Sequence, residues 1–213
     1  MDFIPSLPAI AAFTLAAAIL IVTPGPDMTL FLGRALTAGR AAGIAALLGA
    51  STGLLVHTML AAFGLSALLA ASPLAFFAVK IAGALYLVWL AAQAIRKGSA
   101  LSLERGGGAG RTFFQNWATG LGVNLLNPKI VLFFVTFLPQ FVSVADPHAG
   151  GKLAFLGLYF IALGLPACTA MILVADRFAA ALRTKPAVSR AIDYLFAGVF
   201  GAFAVRILLT RGQ

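Results

Sequence analysis

Long apolar runs alternate with short polar connectors along the whole chain. If each membrane crossing takes roughly 20 apolar residues, this pattern predicts six spans. Their approximate bounds are 7–32, 42–70, 74–95, 113–139, 153–175 and 191–210. The polar residues lie mainly in the five connectors between these runs, including 33–41 after the first span. The pattern therefore predicts an all-α integral membrane protein with six transmembrane helices.

Two of the predicted spans contain sequences that a regular helix does not accept. Thr23-Pro24-Gly25-Pro26-Asp27 interrupts the first span, and Asn127-Pro128-Lys129 interrupts the fourth. Proline lacks the N–H that a helix needs and clashes with the preceding turn. Each interruption also carries a charged residue at a depth where charge is costly. We therefore predict that helices 1 and 4 are broken, a feature typical of substrate sites in transporters.

The two breaks occupy corresponding positions in the two halves of the chain. Gly25-Pro26-Asp27 aligns with Asn127-Pro128-Lys129, and Ala82-Gly83 aligns with Ala197-Gly198. Each half has three spans, an odd number, so the second half must enter the membrane inverted. We predict two inverted three-helix repeats, 1–98 and 113–213, joined by a glycine-rich cytoplasmic linker over 99–112.

Composition and charge narrow the class of protein. Hydrophobic residues make up 62% of the chain and charged residues 10%, whereas soluble domains average roughly 25% charged residues. The net charge of +9 would suggest nucleic acid as a partner in a soluble chain. Here the first, third and fifth connectors hold ten Lys and Arg residues, whereas the segments on the opposite side of the membrane hold two. The positive charge therefore sets the orientation of the chain in the membrane, with these three connectors in the cytoplasm. Both termini are predicted to lie outside the cytoplasm.

Few side chains are arranged for catalysis or metal binding. The single cysteine, Cys168, excludes an internal disulfide, and His57 and His148 are far apart, so neither a metal nor a cofactor is predicted. An intramembrane enzyme would have to use Ser51, Thr52 or His57. Ser51 and His57 lie on different faces of a helix, so we do not expect an enzyme. A structural subunit without transport remains an alternative.

The charged residues of the two breaks are the main candidates for function. Asp27 follows Pro26 at the start of a new half-helix, where it could cap the terminus, exchange a proton or bind a substrate ammonium. Lys129 would lie on the opposing broken helix beside a shared cavity, with Asp27 as its expected partner. The alternative for Lys129 is to extend towards a membrane interface.

Amide side chains near the second break, and one further lysine, complete the predicted site. Asn127 is a natural N-cap for the half-helix that Pro128 opens, and it could also bind substrate. Asn124 lies one turn earlier and has no capping role to explain it. Lys80 could face the site or extend to the outer interface. The predicted substrate and proton site comprises Pro24, Gly25, Pro26, Asp27, Lys80, Asn124, Asn127, Pro128 and Lys129.

Together these motifs resemble those of a known family. The matching segments are 23–27, 80–87, 127–129, Phe133-Phe134 and 139–141. Across essentially its full length the chain resembles the LysE/RhtB family of bacterial amino-acid exporters, and especially its threonine, homoserine and homoserine-lactone branch. The resemblance implies a bacterial inner-membrane protein that exports small amino acids, or their derivatives, using the proton-motive force.

The wider superfamily leaves two other cargo classes open. It includes exporters of metal cations, and a lysine or arginine exporter is a further alternative. The expected partners are an amino-acid substrate and the lipid bilayer, with no nucleic acid, and a homo-oligomer is left open.

Overall fold

Helices make up all the regular structure in the part of the chain that the computed structural model describes. That part comprises residues 3–72, 110–143, 146–175, 177 and 186–209, together with 74, 78, 81, 82, 85, 88, 89, 92, 95 and 96. Lys80, much of the third predicted span and residues 99–109 of the predicted linker lie outside it.

The described helices follow the predicted order of apolar runs. They are α1 (Leu7–Val22), α2 (Pro26–Ala38), α3 (Arg40–Met59), α4 (Ser66–Ala71), α5 (Phe113–Leu125), α6 (Pro128–Leu132), α7 (Ala149–Leu173) and α8 (Pro186–Leu209). A π-helical segment, Leu60–Leu65, joins α3 to α4. A second one, Phe133–Phe137, follows α6 and leads into a 3₁₀ turn, Leu138–Phe141.

Several of these helices are long and apolar enough to cross a membrane. Arg40–Leu65 and α7 pass this test by themselves. The pair α1 and α2 passes as one span bent by 49°, and α5 with Pro128–Phe141 passes as another bent by 52°. The described residues thus contain two to four membrane spans, which makes this a multi-pass membrane protein. The predicted breaks in helices 1 and 4 are confirmed.

The predicted connector 33–41 was wrong. Helix α2 continues to Ala38 and α3 begins at Arg40, so the connector is Gly39 alone, with φ of +90°. Gly33 does not end the helix, because an interior glycine costs only about 1 kcal/mol and the following Arg34, Ala35 and Leu36 are good helix formers. The chain turns at Gly39 because glycine adopts positive φ without steric strain.

Helices α3 and α5 pack backbone to backbone. A Cβ on Gly49 would collide with the Trp117 carbonyl, and one on Gly120 would collide with the carbonyl of Ala46. Gly53 similarly faces the side chain of Asn124. The small residues therefore bring α5 close enough to α3 to position Asn124.

A cluster of aromatic rings forms the core beside the second break. Phe13, Phe133 and Phe137 are fully buried, and the Phe133 ring lies 4.8 Å from that of Phe160 on α7. They pack internally, because the bend after Pro128 turns this face of the helix towards α1 and α7.

The connector before α7 carries a local ion pair. The Lys152 ammonium and the His148 N–H both donate to the Asp146 carboxylate. These two hydrogen bonds hold the pKa of Asp146 below its ordinary value of 3.8. The nearby Phe3 ring packs edge-on against His148 at 5.7 Å, so the N-terminal segment lies against this connector.

We expect Asp146 to make a small, pH-dependent contribution to stability. Because its pKa is lowered by folding, the contribution is present above the unfolded pKa and is lost as pH falls through the folded pKa. The melting temperature of the wild type should slightly exceed that of Asp146→Asn at about pH 7, and the difference should be smaller at about pH 3. An equal difference at both pH values would contradict this prediction.

Candidate functional site

The first break separates α1 from α2 over three residues. Helix α1 ends at Val22, and the Thr23 hydroxyl donates back to the Ile19 carbonyl at 2.6 Å. Gly25 is fully extended and serves as the N-cap of α2, with Pro26 in the first turn. Pro26 needs no helical N–H partner at that position, so α2 restarts there and Asp27 lies in its first turn.

The second break has a similar construction. Asn127 caps α6 as predicted, because its side-chain oxygen accepts a hydrogen bond from the Lys129 N–H at 3.1 Å. Pro128 occupies the first turn of α6. Lys129 therefore begins one half-helix as Asp27 begins the other, which matches the alignment of the two motifs in the sequence.

A pocket lies where the two breaks meet. Its empty space, including the part that opens at its mouth, is about 550 Å³. The polar residues lining it are Thr23, Asp27, Ser51, Asn124 and Lys129. The apolar remainder includes Leu20, Met28, Phe31, Leu54, Ile130 and Phe160.

Asp27 and Asn124 are joined across the pocket. The Asn124 amide donates to Asp27 Oδ2 at 2.7 Å. The other carboxylate oxygen, Oδ1, and the Asn124 side-chain oxygen are buried without a hydrogen-bond partner. Leaving a buried acceptor unpaired costs free energy, about 1–3 kcal/mol for a neutral group. The site therefore offers two acceptors that a bound donor could satisfy.

Lys129 faces the same pocket but does not pair directly with Asp27. Its ammonium donates to the main-chain carbonyl of Thr23 at 2.8 Å, with a longer contact of 3.4 Å to that of Leu20. The expected ion pair with Asp27 is not formed, because these carbonyls at the end of α1 take the ammonium instead. Gly25 makes room for this arrangement, since a Cβ there would lie 2.9 Å from Lys129 Nζ.

The other predicted residues have different places. Asn127 is buried and caps α6, and its Nδ2 has no hydrogen-bond partner. Pro24, Gly25, Pro26 and Pro128 shape the breaks rather than line the pocket. Lys80 lies outside the described residues, so its placement stays a prediction.

Some lining residues were not among those predicted for the site. Ser51 and Cys168 reach the pocket from α3 and α7, neither of which has a break. Ser51 donates to the Leu47 carbonyl at 2.9 Å. A weak signal for Ser51 was present in the sequence, since it is a polar residue in an apolar span. His57 does not line the pocket, and its Nε2 lies 3.4 Å from the Asn124 carbonyl.

The pocket between the two breaks suits a small ligand that carries an amino group. A carboxylate with an unpaired oxygen can bind an ammonium, and an ammonium lies on the opposite broken helix for a ligand's carboxylate. The apolar walls accept an uncharged side chain. Within the described ranges, no three His, Cys, Asp or Glu side chains come together as metal ligands.

Comparisons of the sequence with known proteins identify several membrane transport proteins as relatives. The chain is 31% identical over 195 residues to the homoserine/homoserine lactone efflux protein of Salmonella typhimurium, covering 89% of this chain and 90% of the relative. It is 28% identical to the leucine efflux protein of Enterobacter sp., covering 92% of each chain. An uncharacterized membrane protein of Bacillus subtilis is 33% identical over 141 residues, covering 62% of this chain and 67% of the relative.

No solved structure matches the chain. Residues 18–211 match the family model described as LysE type translocator, a match that includes both breaks and the pocket between them. The chain therefore belongs to the LysE-type translocator family.

Proposed function

We propose that this protein exports small amino acids or their derivatives from the cytoplasm, in exchange for protons. The observation that carries the proposal is the pocket between the two helix breaks, where Asp27 offers an unpaired carboxylate oxygen and Lys129 an ammonium. Broken helices around a shared pocket are a recurrent design of secondary transporters.

The substrates named for the relatives support an α-ammonium as the chemical group that the pocket recognises. Homoserine, homoserine lactone and leucine share an α-amino group, whereas the lactone has no free carboxylate. Asp27 is therefore the main recognition residue, and it binds the α-ammonium. Lys129 assists with the carboxylate of those substrates that have one. The apolar lining disfavours a second positive charge, so a lysine or arginine exporter is the weaker alternative.

The proposed architecture extends the described helices to six spans. Residues 1–98 and 113–213 form two inverted three-helix repeats, and 99–112 link them in the cytoplasm. The protein lies in the bacterial inner membrane with both termini outside the cytoplasm. Contact between Phe3 and the connector before α7 supports this topology, because four crossings return the chain to the side of its N-terminus.

Alternating access requires that the pocket open to one side at a time. In the proposed cycle, Asp27 binds the substrate ammonium when the pocket faces the cytoplasm, and a proton replaces the substrate when the pocket faces outwards. The two half-helix junctions flex as the repeats rock against each other. Competition between proton and ammonium for one carboxylate then couples the two fluxes.

Everted membrane vesicles test this proposal, because an exporter accumulates substrate inside them. We expect uptake of radiolabelled homoserine, threonine or leucine that exceeds uptake of lysine and arginine, and that an uncoupler abolishes. Vesicles without the protein serve as the control. Uptake of lysine alone, or of a divalent metal alone, would contradict the proposed substrate class. Amino-acid uptake that is unchanged by the uncoupler would contradict proton exchange.

A further inference from the structure

The end of α1 has main-chain carbonyls that the helix itself cannot satisfy. In a continuous helix the Leu20 carbonyl would accept from residue 24, but Pro24 has no N–H to donate. Thr23 lies at the break, where α1 has already ended, so its carbonyl also lacks a helical donor. These carbonyls lie at the negative end of the α1 dipole, which favours a cation.

The Lys129 ammonium fills this position. It donates to the Thr23 carbonyl at 2.8 Å and lies 3.4 Å from the Leu20 carbonyl. Gly25 lies against the same ammonium, where a Cβ would be 2.9 Å from Nζ and 3.2 Å from Cε. Three residues thus form this arrangement. Pro24 leaves the Leu20 carbonyl without a helical donor, Gly25 leaves space for the ammonium, and Lys129 supplies the positive charge.

In other transporters with broken helices, unwound carbonyls and half-helix C-termini bind Na⁺ or H⁺. We infer that the carbonyls of Leu20 and Thr23 form a monovalent-cation site whose resident ion is the ammonium of Lys129. The lysine is a tethered ion that spans from the second break to the first. It holds the two broken helices together, and the site needs no external ion while Lys129 is present.

This inference makes a prediction about Lys129→Ala. Truncation should vacate the cation site while keeping its carbonyls, so free ammonium should bind there. We expect ammonium chloride to raise the melting temperature of the purified variant in detergent in a saturable way, because a ligand that binds only the folded state stabilises it. Tetramethylammonium chloride at equal concentration should have no such effect, since it has no N–H to donate. Wild-type protein should respond equally to both salts.

Two matched variants control for general salt effects. Lys129→Met removes the charge but keeps most of the side-chain volume, so it should not respond specifically to ammonium. Lys152→Ala removes a lysine from the connector ion pair and should behave as the wild type does. If ammonium and tetramethylammonium act equally on Lys129→Ala, the inference is wrong. The readout is binding, so it does not depend on which substrate the protein carries.

Gly25→Ala tests the same site if Lys129→Ala does not fold. Its methyl group would lie 2.9 Å from Nζ, so the end of the lysine side chain would have to move away from the two carbonyls. This variant should therefore melt at a slightly lower temperature than the wild type. Gly33→Ala is the matched control, because its Cβ would meet no atom within 4 Å. Equal melting temperatures for Gly25→Ala and the wild type would overturn the inference.

Discussion

Replacing Asp27 by asparagine is expected to abolish proton-coupled export. Asparagine has nearly the same shape and can still accept the hydrogen bond from Asn124, but it can neither carry a negative charge nor exchange a proton. When one charge of a buried, hydrogen-bonded pair is removed, the cost is about 2–5 kcal/mol, so transport should fall by about 30-fold or more. Cells that express the variant should also lose resistance to excess threonine or homoserine.

Uptake into everted vesicles measures this effect over a range of pH. Asp146→Asn is the matched control, since it makes the same change in a connector that does not line the pocket. It should transport at the wild-type rate. Export by Asp27→Asn at the wild-type rate over the full pH range would show that Asp27 is not the coupling group. An unchanged melting temperature would confirm that the variant is folded.

Gly120→Ala is expected to destabilise the protein strongly. The new methyl group would collide with the Ala46 carbonyl, and a backbone atom cannot move aside as the end of a flexible side chain can. Helices α3 and α5 would have to separate, and overpacking of this kind typically costs about 1–3 kcal/mol. The shift would also move Asn124 away from Asp27, so export should fall together with stability.

Gly122→Ala provides the matched control for this prediction. It lies on the same helix two residues later, and its Cβ would meet no atom within 4 Å. Because alanine favours helix over glycine by about 1 kcal/mol, Gly122→Ala should be neutral or slightly stabilising. The comparison requires melting temperatures of both variants in the same detergent. Equal stability of Gly120→Ala and Gly122→Ala would contradict the close packing of α3 and α5.

The breaks were predictable because they depend on local chemistry. A proline that lacks an N–H interrupts a helix in any environment, so Pro24, Pro26 and Pro128 identified both broken spans. The N-cap at Asn127 was predictable for the same reason, since capping acts within a few residues. The bounds of the connector 33–41 were not predictable, because both Gly33 and Gly39 are compatible with helix or turn. Of these two glycines, Gly39 is the one that adopts the positive φ of a turn.

The partner of Lys129 was not predictable from the spacing of charges. Charge balance alone pointed to Asp27, and nothing in the order of residues shows that the α1 carbonyls lie closer to the ammonium. Ser51 and Cys168 were missed as lining residues for a similar reason. Both lie in spans without breaks, and only the packing of α3 and α7 around the junction brings them to the pocket.

By itself the sequence determined that this is a membrane protein with two broken helices, and where they break. Apolar length and proline chemistry act locally, so one chain is enough to identify them. The tertiary structure alone decided that Asn124 holds Asp27 and that Lys129 binds the end of α1. Those contacts join residues about 100 positions apart, and they depend on how closely glycines allow α3 and α5 to approach.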